Sequence, residues 1–446
     1  MLCPIDFRYG RQQMKAIFLE ENRLKKLLQV EAALAGAHAA LGNVPEKAAK
    51  AIVSAVDQGK VRPERVAQLE REVRHDIMAL VLALTEVSGE AGEYVHLGAT
   101  SNDIVDTATA LQLREALPLL QEGLLHLRQI LVGLATEHRG TIMLGRTHGQ
   151  AAVPITFGLK MAVFALEVQR HLERLREASK RLLVGKMSGA VGTGAAFGDA
   201  ASRIQDIVME SLGLSGEEAS TQVVGRDRYA EYVALMVGIA SSLEKFATEV
   251  RNLQRTEIGE VAEAFEKGQV GSSTMAHKEN PITSENVCGL ARIVRGFVVP
   301  AYENVSLWHE RDLTNSSAER FILPHVTVLV DDMLHKMAGV FENLRVREDR
   351  MWENLEATDG LVMAEAVMMF LAKKGMGRQK AHELVRQLSL EARSEQKGLR
   401  EVLLRDEAVA SALSEAELEE ALDPRNYLGA SEEIVDRVVS ICEDSH

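Results

Sequence analysis

The placement of proline constrains this chain more than any other feature. Prolines stand at positions 4, 45, 63, 118, 154, 281, 300, 324 and 424, and none lies between Ile155 and Asn280. A proline inside a helix removes a hydrogen bond and collides with the preceding turn, so a stretch this long without one permits several very long helices. From Arg226 to Glu257, apolar residues recur as Tyr229, Val233, Met236, Ala240, Leu243, Phe246, Val250 and Leu253. Steps of three and four mark one helical face at a near-heptad period. About 32 residues would make a helix roughly 48 Å long, beyond an ordinary globular helix. Such a helix belongs in a bundle, either closed within one chain or with seams that continue into other subunits. Thr107–His138, Ile155–Leu183, Ile282–Asn304 and Ala318–Leu344 are further long-helix candidates.

Aromatic residues make up only 4% of the chain, which favours helix over a β-sandwich. The expected fold class is all-α. Two segments interrupt the helices. Gly185–Gly198 (GKMSGAVGTGAAFG) is too glycine-rich for a stable helix, and it lacks the flanking strand and Lys-Ser/Thr ending of a phosphate-binding loop. Gly268–Pro281 (GQVGSSTMAHKENP) is a second break, rich in small polar residues. These breaks suggest a helical N-terminal domain over 1–100, a long-helix domain over 101–348 and a helical C-terminal domain over 349–446. Ser414 and Glu417 form a capping-box pattern ahead of the Glu415–Leu422 segment.

Several function classes are disfavoured. A net charge of −14 gives no electrostatic footprint for nucleic acid, although a small phosphorylated substrate needs only a few local cations. Cys3, Cys288 and Cys442 are far apart, which fits a reducing cytoplasm and argues against a zinc site or a disulfide framework. No apolar run approaches the roughly 20 residues needed to span a bilayer. The sequence also lacks HExxH, GxSxG and a dinucleotide fingerprint.

Some clusters could carry chemistry. The Gly268–Pro281 loop places Ser272, Ser273, His277, Lys278 and Asn280 close together; it reads either as an anion-binding loop or as a solvated turn. In GRTHGQ, His148 stands beside Arg146 and Thr147, poised for proton transfer or simply exposed on a loop. Arg74-His75-Asp76 reads by default as a salt-bridged surface triplet. HLGATSND supplies Thr100 and Ser101, and it also resembles a helix start capped by Ser101, Asn102 or Asp103. WHERDLTNSSAER carries Arg311, Ser316 and Arg320, which could bind a phosphate or pair with Glu310, Asp312 and Glu319.

Together these clusters resemble a known family. GSSTMAHKENP at 271–281 is similar to the GSSxMPxKxNP signature of the fumarase/aspartase superfamily, and GRTHGQ and HLGATSND resemble its other two blocks, in the right order. Arg8-Tyr9, Arg74-His75-Asp76, TQVVGRDR, LWHERDLTNSSAER and DPRNYLG resemble the adenylosuccinate lyase family within it. The resemblance runs from Arg8 to Val438. Ala276 stands where the signature has proline, which would make the loop less stiff.

The resemblance implies a three-domain fold, a central bundle that assembles into a homotetramer, and active sites shared between subunits. It implies β-elimination of fumarate from adenylosuccinate, giving AMP, and from succinyl-aminoimidazole carboxamide ribotide, giving AICAR, in purine biosynthesis. Ser272 would be the general base and His148 the general acid, with His75 and Lys278 assisting. Lys278, Asn280, Thr100, Ser101, Thr147, Ser273 and Gln222 would bind the succinyl carboxylates. Arg8, Tyr9, Arg311, Ser316 and Arg320 would hold the phosphate, and Arg74, His75 and Asp76 would line the substrate site. No metal or organic cofactor is implied, nor any nucleic-acid or membrane partner. The alternatives are a carboxymuconate cycloisomerase-like member of the superfamily and a catalytically silent structural tetramer.

Overall fold

The computed structural model describes residues 2–265, 274–275 and 277–444. Ser272, Ser273 and Ala276 lie outside the described residues. The chain is predominantly helical, with short two-stranded pieces.

The near-heptad face forms the helix Asp227–Leu253, and every residue of its apolar seam is buried. The other long helices are Ser101–Glu137, Phe157–Leu182, Ile282–Gly296 and Thr314–Glu342. Pro118 and Pro324 are accommodated inside two of them. The single helix expected over Ile282–Asn304 is instead two, broken at Phe297, with Val298–Glu303 as the second. Pro300 explains the break, because it cannot donate to the carbonyl of Gly296 and its ring crowds that oxygen.

The chain divides into two compact units, Met1–Leu124, His171–Ser241 and Gly289–His335 forming one, and Leu125–Arg170, Ser242–Cys288 and Lys336–His446 the other. In the first unit, Leu27, Leu34, Ile52, Leu80 and Leu84 pack against Ile104, Leu111, Ile204 and Val208. Tyr232 and Thr327 exchange a buried hydroxyl hydrogen bond of 2.7 Å. In the second unit, Phe164 stacks on Phe246 with ring centroids 4.2 Å apart, and Phe341 meets both edge-on. A C-terminal cluster gathers Val367, Leu371, Leu388, Leu403 and Leu418. The capping box forms as read: the Ser414 hydroxyl accepts from the Glu417 N–H, and the Glu417 carboxylate accepts from the Ser414 N–H at 2.9 Å.

GRTHGQ is not a loop, as the sequence suggested, but the tip of a β-hairpin. Ile142–Thr147 pairs antiparallel with Gln150–Thr156. His148 (φ 53°) and Gly149 (φ 73°) form the two-residue turn with the positive φ pair that matches strand twist. Gly145 marks a register shift, where a Cβ would lie 2.4 Å from the Val153 carbonyl oxygen.

Candidate active site

The first unit contains a cavity of about 720 Å³. Its lining includes Arg74, His75, Asp76, Ser101, Arg311, Ser316 and Arg320. Segments separated by more than 200 positions in sequence thus converge on one space. The helix Pro63–Val73 stops at Arg74, which takes the left-handed conformation (φ 56°). Its neighbour His75 is extended and caps the next helix, Asp76–Ser88, accepting the Met78 N–H on Nδ1 at 3.3 Å. A left-handed residue other than glycine is uncommon, and here it reverses the chain so that consecutive side chains reach the cavity.

The Asp76 carboxylate organises the cations. Arg320 Nη2 donates to its Oδ2 at 3.0 Å, and Arg23 Nη2 lies 3.8 Å from the same oxygen. The His75 Nδ1 is 3.7 Å from Oδ1. Asp76 is therefore paired with arginines from elsewhere in the chain as well as lying close to its neighbour His75.

Arg311 donates to the Gln222 side-chain oxygen at 2.6 Å, and Gln222 donates on to the Ala190 carbonyl at 2.8 Å. Among the described residues, the Nε of Arg311 is buried with no hydrogen-bond partner. An unsatisfied buried donor is costly, and an anion in the cavity could accept from it. Glu319 does not neutralise Arg311 or Arg320. It pairs instead with buried Arg226, at 2.9 Å, which also grips Asp106 through two hydrogen bonds of 2.8 and 2.9 Å. Burial opposes the charge of Arg226, but Asp106 and Glu319 outweigh it and push its pKa up. Burial also raises the Glu319 carboxyl above its ordinary range despite Arg226. Asp312 is occupied by local caps to the N–H groups of Trp308 (2.7 Å) and Thr314 (2.8 Å). Arg23, Arg74, Arg311 and Arg320 face Glu20, which takes Arg23 at 3.0 Å, Glu70 and Asp76, so four cations meet three available carboxylates and one is left over for a phosphate.

The helix Ser101–Glu137 begins at the cavity wall. None of Ser101, Asn102 or Asp103 occupies the cap position expected of them; Thr100 does. Asp103, three residues on, reaches back to the Thr100 N–H at 2.9 Å. Asp103 also accepts from the N–H groups of Ser188 (2.9 Å) and Gly189 (3.0 Å) and from Lys186, its side chain and the lysine's being fully buried. This network anchors the short segment that carries Thr100 and Ser101 to the glycine-rich break.

Arg8 is exposed and Tyr9 half-buried at the N-terminus of the same unit, and neither lines the cavity. Thr100 and Gln222 lie next to lining residues without lining it themselves. Thr147, His148, Lys278 and Asn280 belong to the second unit. Thr147, His148 and Lys278 are exposed there, and Asn280 is half-buried. Arg146 is held in place by two hydrogen bonds, 2.6 and 2.9 Å, to the fully buried Glu260 carboxylate. Residues that the sequence did not single out include Arg23, Gln112 and Asn315, all of which line the cavity. Arg226 lay inside a quoted motif without an assigned role. Among the described residues, no group of three or more His, Cys, Asp or Glu side chains could hold a metal ion, and no helix is long and apolar enough to cross a membrane.

Comparison with known proteins supplies the family. A family model described as Lyase matches residues 6–296, and one described as Adenylosuccinate lyase C-terminus matches residues 360–438. The chain is 53% identical over 441 residues to a protein named Adenylosuccinate lyase in Pyrococcus abyssi, covering 99% of this chain and 98% of that one. Relatives of the same name occur in Methanocaldococcus jannaschii, 48% identical with 98% and 95% covered, and in Aquifex aeolicus, 43% identical with 97% and 98% covered. Among solved structures, a fumarate lyase from Mesorhizobium sp. BNC1 superposes with a TM-score of 0.90 at 36% identity, covering 97% and 98% of the two chains. A 3-carboxy-cis,cis-muconate lactonizing enzyme from Pseudomonas putida gives 0.91 at 38% identity, covering 99% of each chain. With its motifs spread over nearly the whole length and matched end to end by these relatives, the chain is a lyase and belongs to the adenylosuccinate lyase family.

Proposed function

We propose that this chain removes fumarate from adenylosuccinate, leaving AMP, and from succinyl-aminoimidazole carboxamide ribotide, leaving AICAR. The observation that carries this reading is the cavity of the first unit, where Arg74, His75, Asp76, Ser101, Arg311, Ser316 and Arg320 meet. The cationic surplus and the unsatisfied Arg311 Nε suit a phosphorylated nucleotide, and Ser101 suits a succinyl carboxylate. Arg8 and Tyr9, which do not line the cavity, are assigned to the phosphate on the family resemblance alone.

The reaction breaks a weakly acidic C–H bond and then a C–N bond. Ser272, acting as its alkoxide, takes the Cβ proton and becomes the hydroxyl, and electron density moves onto the adjacent carboxylate. Lys278 and Asn280, with Thr100, Ser101, Thr147, Ser273 and Gln222, hold the two carboxylates and stabilise the dianion. As the C–N bond breaks, His148 gives its proton to the departing nitrogen. His75, at the cavity wall between Arg74 and Asp76, assists near the substrate.

Each site is completed by neighbouring copies in a homotetramer, as the family resemblance implies. Exposed Ile293, Val299, Tyr302, Trp308, Leu313 and Phe321 of the first unit give such an assembly apolar surface to bury. The 1–100, 101–348 and 349–446 division and a cytoplasmic location belong to the same reading. Mixing a His148 variant with a Ser272 variant should restore partial activity, and none despite proven subunit exchange would count against shared sites.

The likeness to the lactonizing enzyme favours one competing activity, on carboxymuconate. The test is the ultraviolet absorbance change when purified chain meets adenylosuccinate. A steady change with release of fumarate supports the proposal. No change, with turnover of carboxymuconate, would replace it.

A further inference from the structure

We infer that Glu279 is a positioning residue, acting with Arg345 and Gln254 to hold Lys278 and Asn280 in place for the substrate's carboxylates. The inference rests on the reading above, which puts those two residues on the succinyl group. Within KENP, position 279 is the one the superfamily signature leaves open, so nothing in the common chemistry calls for an acid there.

In the second unit this residue is held from two sides. Its backbone carbonyl accepts from Gln254 Nε2 at 3.1 Å, and its carboxylate pairs with Arg345 Nη2. Arg345 is itself fixed. Its Nε and Nη2 donate to the Glu263 carbonyl at 3.2 and 3.0 Å, and its backbone lies in a strand where Arg345 pairs with Ala262. Gln254 also accepts the Glu263 N–H at 2.9 Å. The buried Glu263 carboxylate then takes the Ser284 N–H at 2.7 Å, the Ser284 hydroxyl at 2.5 Å and the Thr283 N–H at 3.2 Å, at the start of the helix Ile282–Gly296. Residues 263, 279 and 283–284 are thereby tied into one piece. Pinning position 279 by both its carbonyl and its side chain fixes its two neighbours.

The ion pair has a second effect. A free carboxylate beside a dicarboxylate substrate would repel it. Arg345 neutralises Glu279 while donating separately to the Glu263 carbonyl. Removing Arg345 should therefore do more harm than removing the Glu279 charge, because it both frees the segment and unmasks an anion.

The experiment measures inhibition of adenylosuccinate turnover by fumarate and, separately, by AMP, for the wild type, Glu279→Gln, Arg345→Met and the double variant. Fumarate reports the carboxylate site, and AMP reports the arginine cavity. The expected result is a fumarate inhibition constant raised about tenfold in Glu279→Gln, further in Arg345→Met, and brought back toward the Glu279→Gln level in the double variant. The AMP constant should stay within about twofold throughout, which a general loosening of the fold would not allow. Fumarate and AMP constants rising together, or no change in the fumarate constant, would overturn the inference. Should Arg345→Met fail to fold, Glu279→Gln decides alone. A wild type that does not turn over adenylosuccinate sinks the functional reading first, and this inference with it.

Discussion

Replacing Arg226 with methionine tests how the cavity wall is held. Arg226 donates to both oxygens of Asp106 (2.8 and 2.9 Å), to both of Glu319 (2.9 and 3.3 Å) and to the Val224 carbonyl (2.8 Å). Its side chain is 3% exposed and that of Asp106 2%, so little water reaches this pair. After the substitution Asp106 keeps the Val224 N–H at 2.8 Å, and Glu319 keeps Asn315 at 3.0 Å. Methionine fills much of the volume, so the main cost is the stranded charge. Breaking a buried pair from one side costs about 3–5 kcal/mol. At about 1.4 kcal/mol per decade, local opening around Asp106 should become two to three and a half decades more frequent. Amide hydrogen exchange of peptides covering Ile104–Ala110 reads this directly. A rise of less than about tenfold would refute the reasoning, for it would mean that Arg226 does not hold the Asp106 charge.

Two further predictions follow from titrating groups. Burial raises the Glu319 carboxyl above its ordinary value of 4.5, so ionising it in the fold costs stability as pH rises past that point. Glu319→Gln cannot ionise, and its melting temperature relative to wild type should be higher at about pH 7.5 than at about pH 4.5; thermal scans at both pH values check the sign. For His96, burial works against the charged ring, but the 2.7 Å hydrogen bond to Glu31 and that residue's charge outweigh it and leave the pKa raised. The stabilisation is full below about pH 6.5 and fades as pH climbs through the raised value. His96→Gln should therefore lose more melting temperature at about pH 6 than at about pH 9, and an equal loss at both would contradict the pairing.

The helices Phe157–Leu182 and Asp227–Leu253 were legible because proline is absent where they run and because a repeat of three and four residues marks one helical face. Their ends were less so. Pro300 broke a helix read as continuous, while Pro118 was tolerated, and only the surrounding packing separates the two outcomes. The hairpin was hidden because glycine and proline interrupt its strands and its His-Gly turn lacks the usual Asn-Gly signal. At the site, Arg74, His75, Asp76, Arg311, Ser316 and Arg320 could be picked out as local clusters. Their convergence could not, because the contact between Asp76 and Arg320 spans the chain. Arg23 carried no signal at all: it looks like any charge in the first turn of a helix until Asp76 is placed beside it. Glu319 shows the reverse error, since its neighbours in sequence suggested a pairing that buried Arg226 takes instead.

The central claim is that an arginine-rich cavity receives the phosphate of a succinyl-nucleotide. Its most direct test compares kcat/KM for adenylosuccinate with that for the same compound lacking its phosphate. The phosphate would satisfy the buried Arg311 Nε and give the exposed Arg74 and Arg320 a charge-assisted partner, so the account predicts a loss on the order of a hundredfold or more. Equal kcat/KM for the two compounds would contradict it.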